Sequence, residues 1–175
     1  MMLNGTRIKK EIEEMGCKVV YVSHDIIKDY NACYRVEYKG RVIFPPAADR
    51  LGIPLNEIWI SEKWKEFEDY ILFHELREIK YRADGYTVEQ AHELAIKDAD
   101  ERYKGDPKYE RLKREINVAS KETLMELQGI DEDLAQKIIE NRPYSSINEL
   151  LEKIPSIKRE VFERIKEHFW CITES

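Results

Sequence analysis

The densest concentration of groups able to do chemistry lies in "YILFHELREIKYRADGYTVEQAHELAIKDAD", residues 70–100, where His-Glu-Leu occurs twice. His74 and Glu78 are four residues apart, so on a helix they share one face, a turn from each other. His92 lies in a second helical stretch beyond Gly85, a residue that permits a tight reversal. In an antiparallel pair rising ~1.5 Å per residue, Glu78 and His92 reach the same height above the turn, and His74 stands one turn further out. Two imidazoles and a carboxylate with an open fourth position suit a catalytic divalent metal, zinc first, with iron and manganese served by the same donors.

Glu75, next to the first candidate ligand, stands where an HExxH helix carries its water-activating base. Asp100 and Glu89 flank the His92 face as candidates for a fourth ligand, and Asp100 is the one retained; Asp98 points away. The first helix carries an apolar stripe of Leu72, Leu76, Ile79 and Ala83. His74 and Glu78 lie opposite it among Phe67, Tyr70, Ile71 and Tyr81, so the helix is expected to be buried on both sides. The second helix opens with Thr87 as cap and Gln90 as its reciprocal partner. Its stripe is Val88, Ala95, Ile96, Ala99 and Tyr103, with His92 at the middle. Two structural alternatives stay open: a hydrogen-bonded His-Glu-His network without metal, and a simple Glu78–Arg82 pair. Glu89 and His92 also fit the ExxH of ferritin-like di-iron helices, but those need the motif twice. His24 and His168 have no converging partners in the sequence and read as surface or capping residues.

The pattern "HELRE…AHELA" resembles a group of small phage and archaeal proteins with an HExxE helix followed by an AHxxA helix, after a short antiparallel sheet. These are similar to minimal zincin-type metallopeptidases with Glu in place of the second His. The resemblance covers roughly residues 55–103 and implies a peptidase-like metal-dependent hydrolase, with His74, Glu78 and His92 as ligands and Glu75 as base.

The elements that must position these residues can be read upstream. "NGTRIKKEIEEMG" has Ile8 and Ile12 four apart and stops at Gly16, which predicts a short helix. "KVVYVS" reads as a strand, and "CYRVEY-KG-RVIF" as a hairpin broken at Lys39-Gly40. "FPPAADRLGIPLN" is expected as a loop because Pro45, Pro46 and Pro54 cannot sit inside a sheet, and "EIWIS" as the last strand. Helices follow from Glu62, interrupted at "ADGYT" and "KGDP". The charged stretch with Gly105 and Pro107 marks a boundary. The expected organisation is an α+β domain over 1–104 with a small antiparallel sheet and the two-helix metal site. A linker over 105–114 and an all-α domain over 115–175 complete it.

In that last segment, "INVAS", Leu127-Gln128-Gly129-Ile130, "AQKIIENR" and "YSSINELL" resemble the tandem helix-hairpin-helix domain of bacterial DNA-uptake competence receptors. The resemblance spans residues 116–169 and implies non-sequence-specific contact between hairpin backbone N–H groups and DNA phosphates. It places that contact at Gly129 and Ile130 in the first hairpin and at Ser156, Ile157, Lys158 and Arg159 in the second. The first hairpin departs from the pattern: Asp131 replaces a glycine, and Glu132 and Asp133 follow, which repels phosphate. In the second, Ser156 and Lys158 stand where glycines are expected, but Lys158 and Arg159 supply charge, with Lys153 and Arg164 nearby. The second hairpin is therefore the expected DNA contact. From Glu115 to Ser175 there are 8 basic and 13 acidic residues, a net of −5, so docking to a DNA-associated protein stands beside DNA itself as the partner.

With 37% charged and 42% hydrophobic residues over 175 positions, the chain has the composition of a folded soluble protein, in a Lys/Arg/Glu balance that would suit a thermophile. A net charge of −6 excludes coating of nucleic acid through bulk charge. Cys17, Cys33 and Cys171 form no CxxC pair and read as free thiols of a reducing compartment. No run approaches the ~18 apolar residues of a membrane span, so the expected location is the cytoplasm.

Overall fold

In the computed structural model, which describes residues 4–27 and 30–172, the chain divides into two compact units, Met1–Lys104 and Gly105–Ser175. The first opens with helix α1 (Asn4–Glu14), whose Ile8 and Ile12 are buried on one face. Gly16, at φ 86°, takes the left-handed conformation that turns the chain into strand β1 (Lys18–Val22). A one-turn helix α2 (His24–Ile27) follows, then β2 (Ala32–Tyr38) and β3 (Arg41–Ile43). Lys39 and Gly40 both have positive φ, as the tight hairpin turn requires.

The stretch expected as a loop contains helix α3 (Ala47–Leu51), before β4 (Glu57–Ser61). Pro46 sits at its N-cap and Gly52 at its left-handed C-cap, so prolines that exclude a strand here start a helix. The sheet also differs from expectation. Its order is β1-β4-β2-β3: β4 is antiparallel to β2 but parallel to β1, from Lys18↔Glu57 to Val22↔Ser61. The sheet is mixed rather than purely antiparallel, because the long segment between β1 and β4 serves as the crossover a parallel pair needs.

Register divides the sheet's faces. Val20, Trp59 and Cys33 align across β1, β4 and β2 and pack with Val22, Ile27 and Ala48. Tyr34 pairs with Ile58 on the opposite face. There the chain brings α4 (Glu68–Ala83), reached through a 3₁₀ turn (Glu62–Phe67), and then α5 (Val88–Arg102). The Thr87–Gln90 capping box forms as the sequence predicts. Helix α4 is buried on two sides, with Leu72, Leu76 and Ile79 on one and Tyr70, Phe73 and Glu78 elsewhere. Helix α5 buries Ala91, Ala95 and Ala99, a line of small residues at four-residue spacing, while Val88 is exposed. Alanines at this spacing allow close approach of the helices. Arg77 and Tyr81 both donate to Asp98 Oδ2, at 2.8 and 2.7 Å, which clamps α4 to α5 without His74, Glu78 or His92.

The second unit begins inside the segment expected as a linker. Residues 107–112 form α6 (Pro107–Leu112), with Pro107 in the first turn and Asp106 accepting from Lys108 N and Tyr109 N. The two hairpins follow: α7 (Lys121–Met125) with α8 (Glu132–Glu140), then α9 (Glu149–Lys153) with α10 (Arg159–His168). Leu124, Ile130, Ile138, Ile147, Phe162 and Ile165 share one buried cluster.

A polar hub crosses that cluster. Asn117 accepts from Tyr144 N at 2.7 Å and donates to Tyr144 O at 3.0 Å, so one side-chain amide satisfies both main-chain groups of a residue 27 positions away. The fully buried Glu115 accepts from Asn117 N, from Asn117 Nδ2 and from Ile172 N. Arg142 Nε donates to Ile116 O at 2.9 Å and Nη2 to Ala119 O, and burial lowers its guanidinium pKa to about 10. Replacing Asn117 leaves several buried partners unanswered. Asn117→Ala is expected to cost roughly 2–4 kcal/mol of stability, read as a lower urea midpoint. A midpoint equal to wild type would show that the hub adds no net stability.

Candidate functional site

His74 and Glu78 from α4 and His92 from α5 come together on one side of the helix pair. Their facing atoms form a nearly regular triangle: His74 Nε2 to His92 Nδ1 is 3.1 Å, His74 Nε2 to Glu78 Oε2 3.4 Å, and His92 Nδ1 to Glu78 Oε2 3.5 Å. Two of these edges are longer than ordinary N–H···O hydrogen bonds. A tetrahedral zinc ion with bonds of ~2.0–2.1 Å has ligand–ligand edges of ~3.3–3.4 Å. The donor types and spacing therefore fit such an ion, and the His92 side chain is 56% exposed.

His92 stands on the exposed edge of α5 and not at the middle of a buried stripe; the stripe runs one position away, through Ala91. Asp100 is outside the three-residue group, since eight residues of helix set it ~12 Å beyond His92 along the axis. Asp98 is held by Arg77 and Tyr81. Arg82 donates to Phe44 O, while Glu78 is met by both histidines and by Tyr34. His24 lies between Ser61 Oγ and Lys63 Nζ, each at 3.3 Å, and His168 is exposed at the end of α10.

Tyr34 is the residue that sequence reasoning missed. From the middle of β2 its hydroxyl donates to Glu78 Oε1 at 2.9 Å. Alternation along β2 signals only that Tyr34 faces inward, because its partner is 44 residues away. Burial pushes the Glu78 carboxyl pKa up, but hydrogen bonds with His74 and His92, together with their charge, outweigh it and bring the pKa down to about 2. Burial, followed by the charges of Glu78 and Glu75, pushes the Tyr34 phenol up, and burial and Glu75 push Cys33 to about 12. Glu75 itself, partly buried, is raised well above the carboxylate range by desolvation and then by Glu78.

The hairpin residues divide by role. Ile130 and Ile157 are core side chains, so only their backbone can meet a phosphate. Gly129 has φ 103°, and a Cβ there would stand 2.9 Å from Val161 Cγ2, so this glycine admits α10 against the first hairpin. Arg164 donates to Gln128 O, and Lys153 to Asn141 O and Pro143 O; both cations are committed to backbone carbonyls. Asp131 caps α8 by accepting from Leu134 N at 2.8 Å, while Glu132 and Asp133 pair with Lys121 and Lys137. In the second hairpin, α10 starts at Lys158 with no side-chain cap. Ser156, Lys158 and Arg159 are exposed around that helix start, and Arg159 pairs with Glu163 four residues on.

The state of Glu75 has a thermodynamic consequence. Its folded pKa is raised, so its favourable contribution is complete below the unfolded value near 4.5 and is lost as pH rises toward the folded value. Glu75→Gln mimics the neutral form. In the chelator-treated protein it is expected to raise the melting temperature by a few degrees near pH 8 and to leave it unchanged near pH 4. Equal effects at the two pH values would contradict the buried, like-charge environment of Glu75.

No curated protein and no solved structure shows significant similarity to the chain. No helix among the described residues is long and apolar enough to cross a membrane. Residues 113–170 match the family model of the helix-hairpin-helix motif, the span that holds the polar hub and both hairpins, and it is this motif that the C-terminal unit carries.

Proposed function

We propose that the chain is a metal-dependent hydrolase, peptidase-like in its ligand set, brought to DNA by its helix-hairpin-helix unit. The observation that carries the metal reading is the His74–Glu78–His92 triangle, whose edges suit tetrahedral zinc and whose His92 side chain is exposed. A zinc ion held there would act as a Lewis acid and make a water molecule acidic enough to attack near neutral pH. His74, His92 and Glu78 bind and orient; Glu75 takes the proton of the attacking water, a role favoured by a carboxyl pKa that burial and then Glu78 raise. Localisation in the cytoplasm is part of this proposal, supported by three buried cysteines that are not in disulfides.

Purified protein is expected to hold near-stoichiometric zinc, or iron or manganese in its place, which a His74→Ala/His92→Ala variant loses. Glu75→Gln should retain the metal while turnover in a peptide-substrate screen falls by about 10²–10⁴-fold. Protein that takes up none of the three metals would end the metal reading.

For the second unit, the helix-hairpin-helix motif points to DNA, and the second hairpin is the contact the local chemistry favours. Asp131 already occupies an amide at the start of α8, whereas α10 begins without a side-chain cap beside Lys158 and Arg159. An exposed pair such as Arg159–Glu163 contributes little and can exchange for phosphate. Lys158→Ala/Arg159→Ala is expected to weaken duplex binding and to flatten the slope of log K against log salt by about 1–2. An affinity unchanged between low and moderate salt would overturn phosphate contact and favour a DNA-associated protein as partner.

A second reading, a non-enzymatic scaffold with a structural cluster, is favoured by one observation: Glu78 is already answered by Tyr34 and both histidines. The Glu75→Gln turnover measurement separates the two.

A further inference from the structure

Glu78 presents its two oxygens to different neighbours. Oε2 faces His74 and His92, and Oε1 accepts the Tyr34 hydroxyl at 2.9 Å. Tyr34 is 1% exposed and lies in the part of β2 that is paired with β4, opposite Ile58. Its hydroxyl therefore has little freedom to follow the carboxylate. A carboxylate bound at one oxygen by a rigid donor cannot rotate to offer both oxygens to an ion without giving up a buried hydrogen bond.

We propose that Tyr34 is a positioning residue that holds Glu78 as a monodentate ligand and thereby sets a three-ligand, tetrahedral metal site. The inference rests on the metal reading above and adds to it the cause of the coordination geometry. Hydrogen-bond partners behind ligands commonly change metal affinity 10–100-fold when removed. Here the removed group also changes how many oxygens reach the metal.

The test uses cobalt(II) added to the full-length, metal-free protein. Wild type is expected to give the intense visible absorption of a four-coordinate cobalt site. Tyr34→Phe should bind cobalt about 10–100-fold more weakly, with weaker absorption as the freed carboxylate adds its second oxygen. A purely structural tyrosine would lower the melting temperature of both metal-free and loaded protein and leave the absorption per bound cobalt unchanged. That result overturns the inference while leaving the metal site standing. Wild type that binds neither cobalt nor zinc sinks both. If Tyr34→Phe does not fold, X-ray absorption of zinc-loaded wild type decides: two imidazole nitrogens and one carboxylate oxygen support the inference, and a bidentate carboxylate overturns it.

Discussion

A carboxylate taken out of water costs several kcal/mol unless charge or hydrogen bonds answer it, and Glu78 is 7% exposed. Much of the first unit follows from answering it. One oxygen needs Tyr34, so β2 must present that residue toward α4. The other needs two imidazoles, so α5 must lie close enough for His92 to reach across. The alanine line of α5 allows that approach, and the Arg77–Tyr81–Asp98 clamp holds it. The cluster is thus held by contacts that its own three residues do not make. Such support from neighbouring groups is what a pre-organised site requires.

The second unit holds two helical hairpins that differ at the turn. Both hairpins pack into one apolar cluster, and Gly129 and Arg164 tie the first hairpin to α10. At α8 Asp131 caps the helix start and its acidic neighbours are paired with lysines. At α10 the start keeps its cations and has no side-chain cap. The two helix starts thus differ in charge: carboxylates gather at α8, and Lys158 and Arg159 stand at α10.

Local chemistry was legible in the sequence wherever neighbours along the chain decide the outcome. The Thr87–Gln90 cap, the Lys39-Gly40 hairpin turn and the helices carrying His74 and His92 belong to this class. Pairings over long separations were not. The parallel β1–β4 pair, Tyr34 against Glu78 and Asn117 against Tyr144 join residues 27 to 44 positions apart, with no trace in local periodicity. Helix α3 was hidden because Pro45 and Pro46 rule out a strand without revealing that they can begin a helix. Residues 105–114 read as a linker from their charge, yet Asp106 and Pro107 are a helix-start signal that the charge obscured. A helical wheel places His92 in the apolar stripe because it cannot tell neighbouring positions apart at the edge of a contact.

In the second unit, Ile116 N donates to Trp170 O at 2.8 Å and Trp170 N to Arg114 O at 3.0 Å, a short parallel bridge between its early and late segments. The bridge closes the unit's early segment on its late one. Separating either segment from the fold therefore breaks main-chain hydrogen bonds of the other, so the two open together or not at all. The Glu115–Trp170 bridge thus acts as a latch that couples local opening of the two segments.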